Sequence, residues 1–171
     1  VYAASAPFVE IDMNPGSDAA DGDASYDAIF LSPHKFLGGP GSSGVLVFNE
    51  RLYSRDLPPS VAGGGTVDYV SPLDQDFIAD IEEREKAGTP GVLQTMKAAL
   101  AMDLKQKVGV ERIEAREHEL LRRAMQQWSA NERFELLGNA DPARRIGIVS
   151  FNLRDARGRY LHPKFVTVLL N

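Results

Sequence analysis

Ser32-Pro33-His34-Lys35-Phe36-Leu37-Gly38-Gly39-Pro40-Gly41 is the stretch on which the fold turns. It joins two apolar runs of strand length, residues 27–32 and 43–48, and its glycines and prolines are too dense for a helix. A chain that leaves a buried strand into such a loop places Lys35 where α/β folds expose their active-site residues. A lysine amine is nucleophilic only when neutral, so a site that uses it must desolvate it or hold it covalently on a carbonyl carbon. Phe30, Leu31, Phe36 and Leu37 supply apolar surroundings, while Ser32 and His34 add hydrogen-bonding groups suited to a phosphate or an aromatic cofactor. Without that context, a lysine after a strand reads as a solvated surface residue and His34 equally as a structural histidine.

Outward from this segment, residues 9–13 alternate weakly as a short strand, and residues 14–25 form a loop rich in Gly, Asp and Ala. On the other side, Pro58-Pro59 and Gly63-Gly64-Gly65 mark an irregular connection without sustained period up to Gly88. Thr89-Pro90 suits a helix start, followed by Val92, Met96, Ala99, Leu100 and Leu104 at helical spacing. Gly109 interrupts this pattern. A second amphipathic helix over residues 110–128 sets Ile113, Leu120, Leu121, Ala124 and Trp128 against a charged face carrying His118, Arg116, Arg122 and Arg123. Residues 134–137 and 146–153 read as strands, residues 155–159 as a turn, and residues 162–170 as the opening of a helix with His162 near its start. The order predicts part of an α/β domain over residues 1–108, followed by a smaller α+β domain over residues 109–171.

Composition narrows the function classes. The 171 residues are 43% hydrophobic and 25% charged, enough apolar surface for a globular core. A net charge of -5, with cations interspersed among acids, provides no basic field for nucleic acid. No run reaches the roughly 18 to 20 apolar residues of a membrane span, and the first residues do not resemble a signal peptide, so a cytoplasmic protein is expected. Cysteine is absent, which removes disulfides, thiolate metal sites and any cysteine nucleophile from these residues. The three histidines are scattered, and no metal site is expected. The opening on Val1 and the apolar close at residues 165–170 give the expectation of a fragment.

The lysine segment resembles the Ser-x-His-Lys motif of class V aminotransferases, pyridoxal-phosphate enzymes that include cysteine desulfurases and selenocysteine lyases. Further matches follow in order: Gly63-Gly64-Gly65-Thr66-Val67, then Arg84-Glu85-Lys86-Ala87-Gly88-Thr89-Pro90, then a long helix. The resemblance spans nearly the whole chain. It implies the large domain of a fold type I pyridoxal-phosphate transferase and the start of its small C-terminal domain, lacking the N-terminal half and the C-terminal end.

Residue by residue, the resemblance makes Lys35 the Schiff-base lysine and the base at the substrate's alpha carbon. It assigns Ser32 and His34 to the cofactor phosphate. Thr66 would reach the phosphate of the partner subunit's cofactor, implying a homodimer with shared sites. The substrate would be a small amino acid, and in a desulfurase a cysteine outside this chain would take the sulfur. An aminotransferase, a kynureninase-like hydrolase or an epimerase would share Lys35 without needing that cysteine, and a non-catalytic relative would not hold the cofactor.

Departures from the family pattern are visible too. Aligned on Ile11-Asp12-Met13, Val1 and Ala4 occupy the columns of the ring-nitrogen aspartate and of the glutamine or histidine after it, and Lys86 stands where a glutamate is usual. Arg84 reads either as a site or interface residue or as a surface ion pair with Glu82 or Glu83.

Overall fold

A computed structural model describes residues 1–15 and 24–171. Most of the predicted loop at residues 14–25 therefore lies outside the described residues. The chain divides into two compact units, one of Val1–Pro7 with Ile11–Lys107 and one of Phe8–Glu10 with Val108–Asn171.

The first unit is organised around β1 (Ala28–Leu31), which is paired on both edges. On one side it runs antiparallel to β2 (Val45–Phe48), with Ala28 opposite Phe48 and Leu31 opposite Val45. On the other, Tyr2 bridges Phe30 in parallel: the Ala3 amide donates to Phe30 O at 2.9 Å and the Phe30 amide to Val1 O at 3.1 Å. Full pairing suits the apolar sequence of β1, since the unpaired backbone groups of an edge strand invite other chains. The core beneath gathers Ala3, Ala6, Ile29, Phe36 and Ala101, with Ile11, Met13, Leu31 and Met102 packed against it. Burying Phe36 alone contributes about 2 to 3 kcal/mol of hydrophobic stabilisation.

Helix α2 (Val92–Val108) buries Ala98 and Ala101, small side chains that allow close approach to neighbouring backbone. It begins at Val92 rather than at Thr89-Pro90: Pro90 O accepts the Val92 amide at 2.9 Å, and Gly91 O accepts both the amide and the hydroxyl of Thr95. Residues 9–13 form no strand; Ile11 and Met13 serve as core packing instead. The run at 43–48 is also less buried than its continuous apolar sequence implies, with Leu46 and Val47 both exposed.

Between β2 and α2 the structure contains elements that lack sequence periodicity. β3 (Val67–Val70) and β4 (Gln75–Phe77) form an antiparallel hairpin with an irregular register between Val67 and Tyr69. Ser71 closes its turn, its hydroxyl accepting the amides of Leu73 and Asp74. The short helix α1 (Ile81–Arg84) is capped by the Asp80 carboxylate, which accepts the Glu83 amide at 2.9 Å.

In the second unit, α3 (Val110–Ser129) starts after Gly109, whose φ of 88° ends the preceding helix. It buries Leu121 and Met125. β5 (Phe134–Leu137) and β6 (Ser150–Leu153) pair antiparallel, and Phe134 and Phe151 meet at 5.1 Å beside Trp128 of α3. The residues before Ser150, predicted as strand from 146 onward, are irregular. Arg145 lies among them, its guanidinium donating to Asn139 O at 2.8 Å and Ile148 O at 3.1 Å. α4 (Pro163–Leu170) opens as expected, His162 Nδ1 accepting the Lys164 amide at 3.2 Å. Among the described residues, no helix is long and apolar enough to cross a membrane.

Candidate active site around Lys35

β1 ends at Leu31, and Ser32 leads into a 3-10 turn of Pro33–Lys35. Proline at the first position of the turn costs no hydrogen bond and fixes its φ. Buried Pro33 and Phe36 anchor the turn on either side, leaving His34 and Lys35 exposed between them. The chain then folds back so tightly that a Cβ on Gly39 would lie 1.8 Å from Pro33 O, a position that only glycine can occupy. Hydrogen bonds from the Lys35 amide to Ser32 O, the Phe36 amide to Pro33 O and the Gly39 amide to Phe36 O, all 2.9 to 3.0 Å, tie the lysine-bearing loop together.

Tyr2 and Ser32 meet Lys35 there. The Lys35 ammonium donates to Tyr2 Oη at 2.5 Å, and Tyr2 Oη shares a 3.1 Å hydrogen bond with Ser32 Oγ. Lys35 Nζ also lies 4.7 Å from the centre of the Tyr2 ring, which stacks on Phe30 at 5.3 Å. The hydrogen bond from Lys35, followed by that from Ser32, pulls the Tyr2 phenol below the ordinary tyrosine range. Sequence reading missed Tyr2 because the contact joins residues 33 positions apart. The parallel bridge between Tyr2 and Phe30 is what brings them together.

Thr66 occupies a different setting. It is 1% exposed, and its hydroxyl donates to Gly63 O at 2.8 Å. Gly65, with φ +84°, turns the chain between them. The loop is held to the following segment by the Ile78 amide on Thr66 O and the Gly88 amide on Gly64 O. Thr66 therefore spends its one donor within its own turn, whereas Ser32 and Lys35 share a hydrogen-bonded cluster.

Of the two readings of Arg84, its burial removes the surface ion pair. Arg84 is 6% exposed and donates to the carbonyls of Arg55, at 3.2 Å, and Leu57, with its guanidinium over the rings of Phe77 and Tyr53. Beside it the Glu85 carboxylate accepts Tyr53 Oη at 2.6 Å and the Ser60 amide at 3.1 Å. The Tyr53 hydroxyl is the main cause holding Glu85 below its ordinary range, and the same bond raises the Tyr53 phenol. Lys86, in the column of the usual glutamate, lies 3.4 Å from Glu83 at the surface. This network braces residues 55–60, just before the glycine run.

Pyridoxal phosphate presents an aldehyde to an amine and a phosphate to hydrogen-bond donors. The exposed Lys35 amine, the Ser32 and Tyr2 hydroxyls and the exposed His34 imidazole make a donor set that fits those groups. Thr66 fits only if its hydroxyl leaves Gly63 O.

Comparison with known proteins places this geometry in context. The aminotransferase class-V family pattern matches residues 21–166. A probable cysteine desulfurase of Staphylococcus aureus (strain N315) is 32% identical over 169 residues, covering 99% of this chain and 37% of that protein. A probable cysteine desulfurase of Staphylococcus epidermidis is 31% identical over the same shares. The chain thus spans about 37% of the length of these curated relatives. Among solved structures, the apo cysteine desulfurase from Thermococcus onnurineus NA1 superposes with a TM-score of 0.69 at 29% identity, over 84% of this chain and 34% of that one. The cysteine desulfurase CsdA from Escherichia coli shares the fold at TM-score 0.61 and 20% identity, over 74% and 30% of the two chains.

Proposed function

We propose, since this chain belongs to the aminotransferase class-V family, that it carries the lysine-bearing part of a pyridoxal-phosphate enzyme that acts on a small amino acid in the manner of a cysteine desulfurase or selenocysteine lyase. The observation that supports this most directly is the exposed Lys35 amine, carried on a hydrogen-bonded turn beside the Ser32 hydroxyl.

When bound, the cofactor supplies an electron sink that makes bonds at the amino acid's alpha carbon breakable. Lys35 is the amine that ties the cofactor to the protein and later holds the proton leaving or returning to the alpha carbon. That role requires a neutral amine during attack. Ser32 and His34 hold the phosphate. Thr66 serves the cofactor of the partner subunit in a homodimer, once its hydroxyl turns away from Gly63 O. The two compact units correspond in this reading to the end of a fold type I large domain and the beginning of the small domain. A cytoplasmic location is part of the same proposal and rests on the composition.

The reading is tested with Lys35→Ala. The substitution changes an exposed side chain, so the protein stays folded, judged by an unchanged far-ultraviolet dichroism spectrum and melting midpoint. In the full-length protein, added pyridoxal phosphate then yields no visible band from a lysine-bound cofactor, and release of sulfur and alanine from cysteine falls to background. A folded Lys35→Ala protein with both the band and full turnover contradicts the assignment.

A further inference from the structure

The Lys35 amine is held by a residue that none of the motifs includes. Its Nζ lies 2.5 Å from Tyr2 Oη, and the same oxygen bridges to Ser32 Oγ at 3.1 Å. A lysine side chain with four methylenes sweeps a wide volume, and fixing its tip costs rotamer entropy. The charge-assisted hydrogen bond to Tyr2 Oη opposes that cost. Tyr2 is itself fixed, by its backbone bridge to Phe30 and by stacking on the Phe30 ring at 5.3 Å. Tyr2, Ser32 and Lys35 therefore form a chain of three side chains anchored on β1 and the turn that follows it.

From this geometry we infer that Tyr2 is a positioning residue for Lys35, holding the amine on the Ser32 side of the turn so that it meets an incoming carbonyl already oriented. This rests on the reading of Lys35 as the cofactor lysine. The Tyr2 oxygen accepts from the Lys35 ammonium and shares a hydrogen bond with Ser32 Oγ in which either oxygen can donate, so it keeps a partner whether or not the lysine carries its extra proton. The lowered titration range of the Tyr2 phenol follows from the same contact. A tyrosine packed only for its ring would lack that shift, and the phenylalanine variant would replace it without effect.

Two measurements test the role. In protein labelled with 13Cζ-tyrosine and free of cofactor, the Tyr2 resonance, assigned by its loss in Tyr2→Phe, titrates below the ordinary tyrosine value and returns toward it in Lys35→Met. An ordinary titration in the parent protein, unmoved by Lys35→Met, overturns the contact. Capture of pyridoxal phosphate, read by borohydride trapping and peptide mapping across pH, is slowed about tenfold in Tyr2→Phe, the worth of one charge-assisted hydrogen bond, with an altered pH profile. Label on Lys35 with an unchanged rate and profile overturns the role of Tyr2 alone. Label on a different lysine overturns the cofactor reading itself, while the phenol titration still reports the contact. Should Tyr2→Phe fail to fold, the titration in the parent and Lys35→Met proteins decides the contact by itself, with Tyr2 assigned as the one resonance that moves in Lys35→Met.

Discussion

Thr66 carries a structural bond at a position proposed to serve a cofactor. Its hydroxyl is buried and bonded to Gly63 O, so Thr66→Val, nearly the same in shape, leaves that carbonyl without its donor. The expected cost is about 1 to 3 kcal/mol in urea unfolding. If Thr66 also serves the partner subunit's cofactor, Thr66→Val weakens cofactor retention beyond what lost stability explains. Subunit exchange with Lys35→Ala then restores activity, because one hybrid site escapes both lesions. A cost under a few tenths of a kcal/mol would show that the hydroxyl is not confined to Gly63. Gly39 is simpler: the 1.8 Å approach to Pro33 O makes this glycine a steric requirement of the turn that carries Lys35.

Among the elements, the bracing of residues 55–60 by α1 and the residue after it has a pH signature. Tyr53 holds Glu85 below its ordinary value, so the folded state binds a proton there less readily than the unfolded chain. The stability from this bond is complete above the unfolded glutamate value, near 4.5, and is lost as pH falls through the lower folded value. Glu85→Gln is expected to lower stability at neutral pH and to flatten the acid limb of a plot of stability against pH. An acid limb identical in the two proteins would mean that Glu85 is not the group responsible. Asp155 and Glu135 in the second unit are depressed for similar reasons, by Arg159 and by Asn152 respectively, and contribute to the residual limb.

Elements differed in how legible they were in the sequence. β5, α3 and α4 announce themselves through apolar periodicity or a starting proline, and the Lys35 turn through its glycines and prolines. The β3–β4 hairpin does not, because Val-Asp-Tyr-Val and Gln-Asp-Phe are short and mostly exposed, with no buried face to impose alternation. The weak alternation at residues 9–13 misled for the opposite reason, since packing of Ile11 and Met13 against the core needs no strand. The candidate site was legible in the part that is local in sequence: Ser32, His34 and Lys35. Tyr2, and the burial of Arg84 under residues 55–57, depend on contacts between residues about thirty apart, which local pattern does not encode.

For the molecule as a whole, the family pattern covers residues 21–166, and the curated relatives are matched over about 37% of their length. The apolar side chains that α2 leaves exposed, Leu93, Met96 and Leu100, are surface that a larger assembly would cover. The proposed role of Lys35 rests on its position after β1, which pairs with β2 and is bridged by Tyr2, on a turn that leaves its amine exposed. Mass-spectrometric peptide mapping after pyridoxal phosphate and borohydride treatment tests that claim most directly. The account predicts a reduced phosphopyridoxyl group on Lys35 alone at one equivalent per chain; label distributed over Lys97, Lys105 and Lys107, with Lys35 unmodified, would contradict it.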